Sequence, residues 1–302
     1  MNQQFLTELK AVTAENRIFT DEPMKKHTTF RVGGPADILV QPKGTELAAV
    51  IRLCRKYDVP YQVIGNGSNL LVGDRGIRGL VIEMLSKEDE ICVEDDCITV
   101  GAGMLLSKTA NRAADHGLTG MEFAAGIPGS IGGAVVMNAG AYGGEMKDIL
   151  TAVTVLDQEG NEKILSAEEL ELGYRTSCIL KKGYIVTGAK IKLKHGEETA
   201  IRARMEELKK QRVEKQPLEY PSAGSTFKRP EGYFAGKLIV DAGLRGYLVG
   251  EAQVSEKHCG FVINRGNATA ADVRTLMQNV ADIVEEKFGV RLEPEVKMIG
   301  EF

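Results

Sequence analysis

The stretch GIPGSIGGAVVMNAGAYGG, residues 126–144, decides the fold, and seven of its nineteen residues are glycine. It carries no charged side chain, yet Ile, Val and Met are interspersed, so its composition is not that of a flexible linker. Glycine at this density is typical of backbone that approaches another group closely. We interpret the stretch as ordered backbone that packs against a flat apolar ligand and offers N–H donors to phosphate. A tightly turning structural loop is the alternative.

Another glycine-containing loop, GNGSNL at residues 65–70, lies upstream and directly follows a strand-like run; in chain order it is the first glycine loop, and 126–144 is the second. Gly65 and Gly67 permit positive φ, so successive backbone N–H groups can converge on an anion. Further donors come from the side chains of Asn66, Ser68 and Asn69. Such a loop suits a pyrophosphate, and a polar hairpin turn is the alternative.

The first loop is not a Rossmann fingerprint, although it contains GxG and Glu83 lies at a suitable distance for a ribose. Leu70 occupies the third glycine position, and the following VGDRGIRG, residues 72–79, cannot begin the helix that a dinucleotide fold requires. The chain also lacks GxxxxGK[ST], which excludes a P-loop ATPase.

Composition indicates a globular protein of two or three domains, because 302 residues exceed one typical core. The net charge is −4 with both signs mixed along the chain, which argues against nucleic-acid or membrane partners. No apolar run approaches the roughly 20 residues of a membrane span, and the polar N-terminus lacks a signal-peptide core. We therefore expect a cytoplasmic protein. The five cysteines form no CxxC pair and the four histidines are scattered, so no metal site is expected.

Hydrophobic periodicity predicts three regions. Residues 1–82 are expected to form a compact α/β unit with one helix over 46–57. A strand-rich α+β unit is expected over 83–205, with strand-like runs at 91–93, 98–100, 134–137, 152–156 and 184–193 and a helix near 105–115. A charged helix ends at Pro217, and its end, 206–217, connects to a third region at 218–302. That region contains a predicted helix over 270–288, with a capping box of Thr269 and Asp272, and ends in a strand-like run at 291–299.

GNGSNLL followed by AGIPGSIGGAVVMNAGAYG resembles the paired FAD-binding loops of the vanillyl-alcohol-oxidase-type (PCMH-type) flavoproteins. HTTFRVGGPAD, residues 27–37, is similar to the opening signature of one family among them, the UDP-N-acetylenolpyruvoylglucosamine reductases. The resemblance covers about residues 20–300. It implies an α+β fold in which a two-subdomain PCMH-type FAD-binding region at 1–205 precedes a smaller α+β substrate-binding domain at 218–302.

The resemblance also implies that both loops hold FAD without a covalent bond. The positions that it implies are Gly65, Asn66, Gly67, Ser68, Asn69, Leu70, Gly126, Pro128, Gly129, Ser130, Gly132, Gly133, Asn138, Gly140 and Ala141. On this interpretation, valine at Gly129 or Gly132 is expected to weaken FAD binding more than folding.

Three short polar segments, YRTS at 174–177, SAGSTFKRP at 222–230 and LEPEV at 292–296, are similar to the catalytic segments of that family. An acidic stretch that we expect to be helix-like precedes YRTS. Taken singly, Arg175, Ser225 and Glu295 would be a surface ion-pair partner, a turn residue and a solvated strand residue. The resemblance instead implies that the three residues catalyse NADPH-dependent reduction of an enolpyruvyl double bond in peptidoglycan precursor synthesis.

The implied chemistry divides the reaction among these residues. Hydride would reach C3 of the substrate from reduced flavin. Arg175 and a protonated or hydrogen-bonding Glu295 would stabilise the negative charge that develops on C2 and the adjacent carboxylate, and Ser225 would protonate C2. NADPH is expected to bind where the sugar nucleotide later binds, which makes the kinetics ping-pong.

Substrate contacts are implied for Tyr174, Arg212 and Lys228, which would bind the sugar nucleotide and its diphosphate. For Lys228 a solvated basic face is the alternative. The absence of an insertion between residues 185 and 206 is typical of the smaller, type II form of the family. A monomer or weak dimer is expected.

Two other functions remain open from the residues alone. One is an O2-using oxidase of the same flavoprotein superfamily, although no His stands inside either glycine loop to attach the flavin covalently. The other is a non-catalytic nucleotide-sugar binding protein, which would need neither flavin nor YRTS and LEPEV together.

Overall fold

The computed structural model describes residues 3–85 and 91–302. The α-helices of these residues are α1 (Gln3–Val12), α2 (Gly44–Lys56), α3 (Leu106–Asp115), α4 (Ile131–Val136), α5 (Cys178–Lys182), α6 (Glu198–Lys215), α7 (Ala235–Asp241) and α8 (Ala270–Phe288). Single turns of 3-10 helix lie at Glu15–Arg17, Met24–Lys26, Glu122–Ala124 and Met146–Asp148. None of the helices in the described residues is both long enough and apolar enough to cross a membrane.

Most strands are short. In chain order they are β1 (Ile18–Pro23), β2 (Pro35–Val40), β3 (Tyr61–Ile64), β4 (Leu70–Val72), β5 (Ile77–Glu83), β6 (Ile91–Glu94), β7 (Cys97–Gly101), β8 (Leu118–Thr119), β9 (Gly140–Ala141), β10 (Gly144–Glu145), β11 (Leu150–Leu156), β12 (Glu162–Ser166), β13 (Ile185–Lys192), β14 (Lys194–His195), β15 (Ser222–Ser225), β16 (Leu248–Val249), β17 (Ala252–Val254), β18 (Phe261–Asn264) and β19 (Lys297–Ile299). The mixture of helices and strands confirms the predicted α+β class.

The chain divides into two compact units. The first comprises Met1–Thr20, Ile38–Asn66 and Gly79–Gln211, and the second comprises Asp21–Asp37, Gly67–Arg78 and Arg212–Phe302. These units differ from the predicted boundaries at 82, 205 and 218, because two short N-terminal segments belong with the C-terminal region. The first glycine loop crosses from one unit to the other between Asn66 and Gly67.

Two apolar cores stabilise the first unit. One lies around the antiparallel sheet β12-β11-β13-β7-β6, onto which α3 and α4 contribute buried side chains. The other lies between α1, α2 and the strands of the sheet β1-β2-β5-β3, and includes Phe5, Leu47 and Ile82. Burial of these apolar surfaces is the main stabilising contribution to such a unit.

The second unit is built on the sheet β15-β18-β17-β16 and on α8. Val273, Leu276 and Val280 form the buried stripe of α8. Phe30 and Leu71, from the two N-terminal segments, are fully buried in the same core. This packing explains why segments so distant in sequence join the C-terminal region.

The start of α8 shows why the chain is helical there. The predicted capping box is confirmed, with the Thr269 hydroxyl accepting from the Asp272 N–H at 3.0 Å. The Asp74 carboxylate accepts from the Ala270 and Ala271 N–H groups at 2.7 and 2.9 Å, which satisfies two more helix-terminal donors. Gly289, with φ of 67°, ends the helix.

Three local predictions are wrong. Residues 134–137, predicted as a strand, lie largely in α4, because the Ser130 side chain caps a helix there. The stretch 291–299 is a strand only over β19. The acidic stretch before Tyr174, expected to be helix-like, forms turns.

Candidate active site

The two glycine loops contact each other within the first unit. The Asn66 side chain donates a hydrogen bond from Nδ2 to the Pro128 carbonyl at 2.6 Å. A Cβ atom at Gly65 would lie 2.1 Å from Oγ of Ser130, so only glycine allows this approach. The two loops that the sequence assigned to one cofactor therefore contact each other at Gly65 and Asn66.

Gly67 is required where the first loop enters the second unit. Its φ is 59°, and a Cβ there would lie 2.0 Å from the carbonyl oxygen of His27. The Thr29 N–H donates to the Gly67 carbonyl at 3.3 Å. The HTTF segment, residues 27–30, thus contacts the first loop at Gly67 and restricts its conformation. The sequence motif identified this segment as a family signature but did not predict this role.

The first loop has the donors that a pyrophosphate needs. In the described part of the chain, no protein acceptor takes a hydrogen bond from the backbone N–H groups of residues 66–69. Gly67 is buried and its neighbours are half-buried. Successive N–H groups without protein acceptors in a turn are available to bind an anion, so the residues present fit the diphosphate of FAD.

The second loop has two kinds of glycine. Gly132 donates from its N–H to the Ala102 carbonyl at 2.8 Å, and a Cβ there would lie 3.1 Å from Cβ of Ala102. Gly133 is exposed, and a Cβ there would meet only Oγ of Ser130, at 3.5 Å. Gly132 is therefore needed for helix packing, whereas Gly133 leaves space beside the loop.

The other loop positions also separate into packed and accessible ones. A Cβ at Gly140 would lie 2.7 Å from Cβ of Glu145, so this glycine permits the β9–β10 pairing. Gly126 and Pro128 are exposed, and Gly129 and Ala141 are half-buried. Asn138 is buried and bonded within the protein.

Arg175 lies in a tight turn of the first unit. The Gly173 N–H donates to the Thr176 carbonyl at 3.1 Å and the Thr176 N–H donates back at 3.3 Å, which leaves Tyr174 and Arg175 at the tip. Tyr174 is 56% exposed, and its ring centroid lies 5.5 Å from Cζ of Arg175. The φ of Arg175 is 55°, a left-handed conformation that only a few per cent of non-glycine residues adopt.

Ser225 and Glu295 both lie in the second unit, on adjoining segments. The Glu295 N–H donates to the Thr226 carbonyl at 2.8 Å, and Phe227 pairs with Pro294. Glu295 is 9% exposed, so the alternative of a solvated strand residue is wrong. Ser225 is an exposed residue at the end of β15 rather than in a turn.

The first glycine loop is fastened to the Glu295 segment. Nδ2 of Asn69 donates to the Glu295 carbonyl at 3.2 Å, and the Lys297 N–H donates to the Asn69 carbonyl at 2.9 Å. The pairing continues as a parallel ladder between β4 and β19. The chain at Asn69 and the chain at Glu295 are therefore held next to each other at the start of this strand pair.

The predicted substrate-binding cations have different surroundings. Nζ of Lys228 lies 2.9 Å from Oε2 of Glu293, and this hydrogen bond lowers the pKa of the Glu293 carboxyl. Arg212 is half-buried near the end of α6. The described residues hold no group of three His, Cys, Asp or Glu side chains suited to a metal ion.

A histidine lies beside the strand that pairs with Ser225. Phe261 is the register partner of Ser225, and its ring centroid lies 5.0 Å from that of His258. Burial lowers the pKa of His258, and its Nδ1 accepts from the Gly260 N–H at 3.1 Å. His258 is thus held neutral near pH 7.

Two family models match the chain. Residues 36–166 match an FAD binding domain, and residues 216–299 match the C-terminal domain of UDP-N-acetylenolpyruvoylglucosamine reductase. The first match includes both glycine loops, and the second includes Ser225 and Glu295.

Relatives with this name match the whole chain. The UDP-N-acetylenolpyruvoylglucosamine reductase of Agathobacter rectalis is 57% identical, with 100% of each chain covered. That of Caldanaerobacter subterraneus subsp. tengcongensis is 52% identical, again over 100% of both. The crystal structure of the enzyme from Thermus caldophilus superposes with a TM-score of 0.78 at 41% identity, covering 91% of this chain and 97% of that one.

Proposed function

The chain belongs to the UDP-N-acetylenolpyruvoylglucosamine reductase family, and we propose that Arg175, Ser225 and Glu295 carry the catalytic step of its reaction. The reaction is the FAD-dependent reduction, by NADPH, of the enolpyruvyl double bond of UDP-N-acetylglucosamine enolpyruvate to give UDP-N-acetylmuramate. Residues of the two glycine loops would hold FAD, which when bound would supply to C3 of the enolpyruvyl group a hydride taken from NADPH.

Each of the three residues acts on charge or on a proton. The guanidinium of Arg175 and the carboxyl of Glu295 stabilise the negative charge that builds up at C2 and on the adjacent carboxylate. Oγ of Ser225 donates the proton that C2 takes up. One hydride at C3 and one proton at C2 complete the reduction.

The pairing of the Ser225 and Glu295 segments carries this proposal. Thr226, next to Ser225, accepts from the Glu295 N–H at 2.8 Å, and Asn69 of the first glycine loop bonds the Glu295 carbonyl. The segments that carry Ser225, Glu295 and Asn69 are thus joined to one another by hydrogen bonds. Groups held by strands in this way are preorganised for a transition state.

Binding of the other ligands follows from the same arrangement. We assign the FAD diphosphate to the N–H groups of residues 66–69, without a covalent bond, since no His stands inside either glycine loop. Tyr174, Arg212 and Lys228 bind the sugar nucleotide; Lys228 then exchanges its contact with Glu293 for phosphate. The protein acts as a monomer or weak dimer in the cytoplasm.

Two half-reactions test the proposed function. The purified protein is expected to be yellow, to release its flavin into an acid supernatant, and to be bleached by NADPH without oxygen. Addition of the enolpyruvyl sugar nucleotide should restore the yellow colour in single-turnover stopped flow. Recovery with oxygen but not with the sugar nucleotide would indicate an oxidase, and a colourless protein that FAD cannot reconstitute would indicate a binding protein.

Adjacent glycines of α4 are expected to respond in opposite ways to alanine. Gly133→Ala should raise the free energy of unfolding of the apoprotein by about 0.4–1 kcal/mol, because it restricts the unfolded chain and its Cβ meets only an ordinary contact. The same methyl group should weaken FAD binding by about 1–3 kcal/mol through overpacking against the cofactor, which is roughly 5- to 150-fold in Kd.

Gly132→Ala is the matched comparison. Its Cβ would press on Ala102 at 3.1 Å, so the melting temperature of the apoprotein should fall. For Gly132 we thus expect substitution to reduce stability more than it reduces FAD binding, which is the reverse of the expectation from sequence. Flavin titrations and melting curves of both variants measure FAD affinity and stability separately. If Gly133→Ala binds FAD with wild-type affinity, α4 is not part of the cofactor site.

A further inference from the structure

The turn that presents Arg175 needs support from outside. Gly173 and Thr176 close it with two backbone hydrogen bonds of 3.1 and 3.3 Å, and Arg175 has φ of 55°. In a two-residue turn the second residue usually has a positive φ only when it is Gly or Asn. An arginine there is strained, and such strain persists only where surrounding contacts fix it.

Two buried side-chain contacts fix this turn, one on each side. Nδ2 of Asn138 donates to the Gly173 carbonyl at 3.1 Å, just before the turn. Oγ of Ser177 donates to the Val136 carbonyl at 2.8 Å, just after it. Asn138 is 1% exposed and Ser177 is fully buried. Both contacts join the turn to the C-terminal end of α4.

Asn138 is itself held in one orientation. Its Nδ2 also donates to Oε2 of Glu145 at 2.6 Å, and its Oδ1 accepts from the Lys147 N–H at 2.9 Å. Both hydrogens of the amide and one lone pair are therefore used within the protein. Its φ of 42° is a conformation that asparagine tolerates better than most residues. The cofactor contact that the sequence assigned to Asn138 has no side-chain donor left to make it.

We propose that Asn138 is a positioning residue for Arg175, with Ser177 as its partner on the other side of the turn. This inference rests on the proposed catalytic function of Arg175. The N-terminal end of α4 is the second glycine loop, capped by Ser130, and the C-terminal end carries both anchors. The helix α4 thus connects the loop assigned to FAD with the guanidinium that acts on the substrate.

Removal of either anchor should slow one half-reaction selectively. Asn138→Gly deletes the side chain and keeps the positive φ without strain, and Ser177→Ala deletes a single hydroxyl. Each variant should bind FAD and be bleached by NADPH nearly as the wild type is. Reoxidation by the enolpyruvyl sugar nucleotide should slow about tenfold to a hundredfold, the effect of misplacing a catalytic group by about 1 Å.

A double-mutant cycle separates positioning from a general structural role. In an Arg175→Asn background, which keeps the turn conformation but lacks the guanidinium, adding Asn138→Gly or Ser177→Ala should change the reoxidation rate by no more than about twofold. The proposal would be overturned if Asn138→Gly or Ser177→Ala slowed reoxidation by the same factor in the Arg175→Asn background as in the wild type. It would also be overturned if either substitution slowed both half-reactions equally. If Asn138→Gly does not fold, Ser177→Ala decides the same question.

Two controls distinguish failure of the proposed function from failure of the positioning role. Asp157→Ala removes an oxygen that accepts from the Glu159 and Asn161 N–H groups, each at 2.9 Å, in the β11–β12 turn of the same unit. It should lower the melting temperature without changing either half-reaction. Normal reoxidation in Arg175→Asn would contradict the proposed function, whereas slow reoxidation in Arg175→Asn with normal Asn138→Gly and Ser177→Ala would contradict only the positioning role.

Discussion

Replacement of Ser225 by alanine is expected to slow reoxidation of the flavin by the enolpyruvyl sugar nucleotide about 10²–10⁴-fold, the usual cost of a lost general acid. FAD should stay bound, and bleaching by NADPH should proceed near the wild-type rate. The reason is that we assign the Ser225 hydroxyl to the protonation of C2, which belongs only to the second half-reaction. Stopped-flow absorbance with each substrate mixed separately measures the two steps.

Two variants make the Ser225 result specific. Ser225→Cys should be faster than Ser225→Ala, because a thiol still donates a proton. Ser222→Ala, at the other end of β15, removes a hydroxyl from a residue whose backbone pairs with Ile263, and it should leave both steps unchanged. A slow NADPH step in Ser225→Ala, or a normal second step, would show that Ser225 is not the proton donor.

The long elements could be predicted because their signals are local. The bounds of α8 match the prediction, since Thr269 and Asp272 start the helix, an apolar stripe continues it and Gly289 ends it. By contrast, residues 134–137 have a composition that suits either a strand or a helix. Their state depends on the Ser130 cap, which an apolar run of four residues does not reveal.

The unit boundaries could not be predicted from local pattern. Phe30 and Leu71 are short apolar signals of a kind found in any strand or turn, and their membership in the C-terminal core is decided by long-range packing. Their burial also means that a chain ending near residue 216 would expose them, so the two units do not correspond to consecutive pieces of sequence.

In the candidate site too, the sequence motifs could identify residues but could not predict how those residues are buried and bonded. The short motifs identified Arg175, Ser225 and Glu295 as candidates, since each stands in a recognisable polar segment. The burial of Glu295 and its bond to Thr226 depend on pairing between distant segments, which no local pattern contains. The glycines likewise looked equivalent in sequence, although Gly132 packs against Ala102 and Gly133 faces open space.

The second large effect is expected for Glu295→Gln. This change keeps the size of the side chain and the backbone bonds to Thr226 and Asn69, so the fold and the first glycine loop should persist. It removes the carboxyl group that stabilises charge at the reacting centre. Loss of one such group typically costs about 10²–10³-fold, and the loss should fall on reoxidation by the sugar nucleotide.

Glu293→Gln is the matched control, two residues earlier on the same segment. Glu293 is exposed and bonds Nζ of Lys228, so its loss frees a cation that we assign to substrate phosphate. The apparent affinity for the sugar nucleotide should therefore change, while the limiting rate of reoxidation at saturating substrate should not. Equal limiting rates in Glu295→Gln and Glu293→Gln would show that the Glu295 carboxyl takes no part in the chemical step.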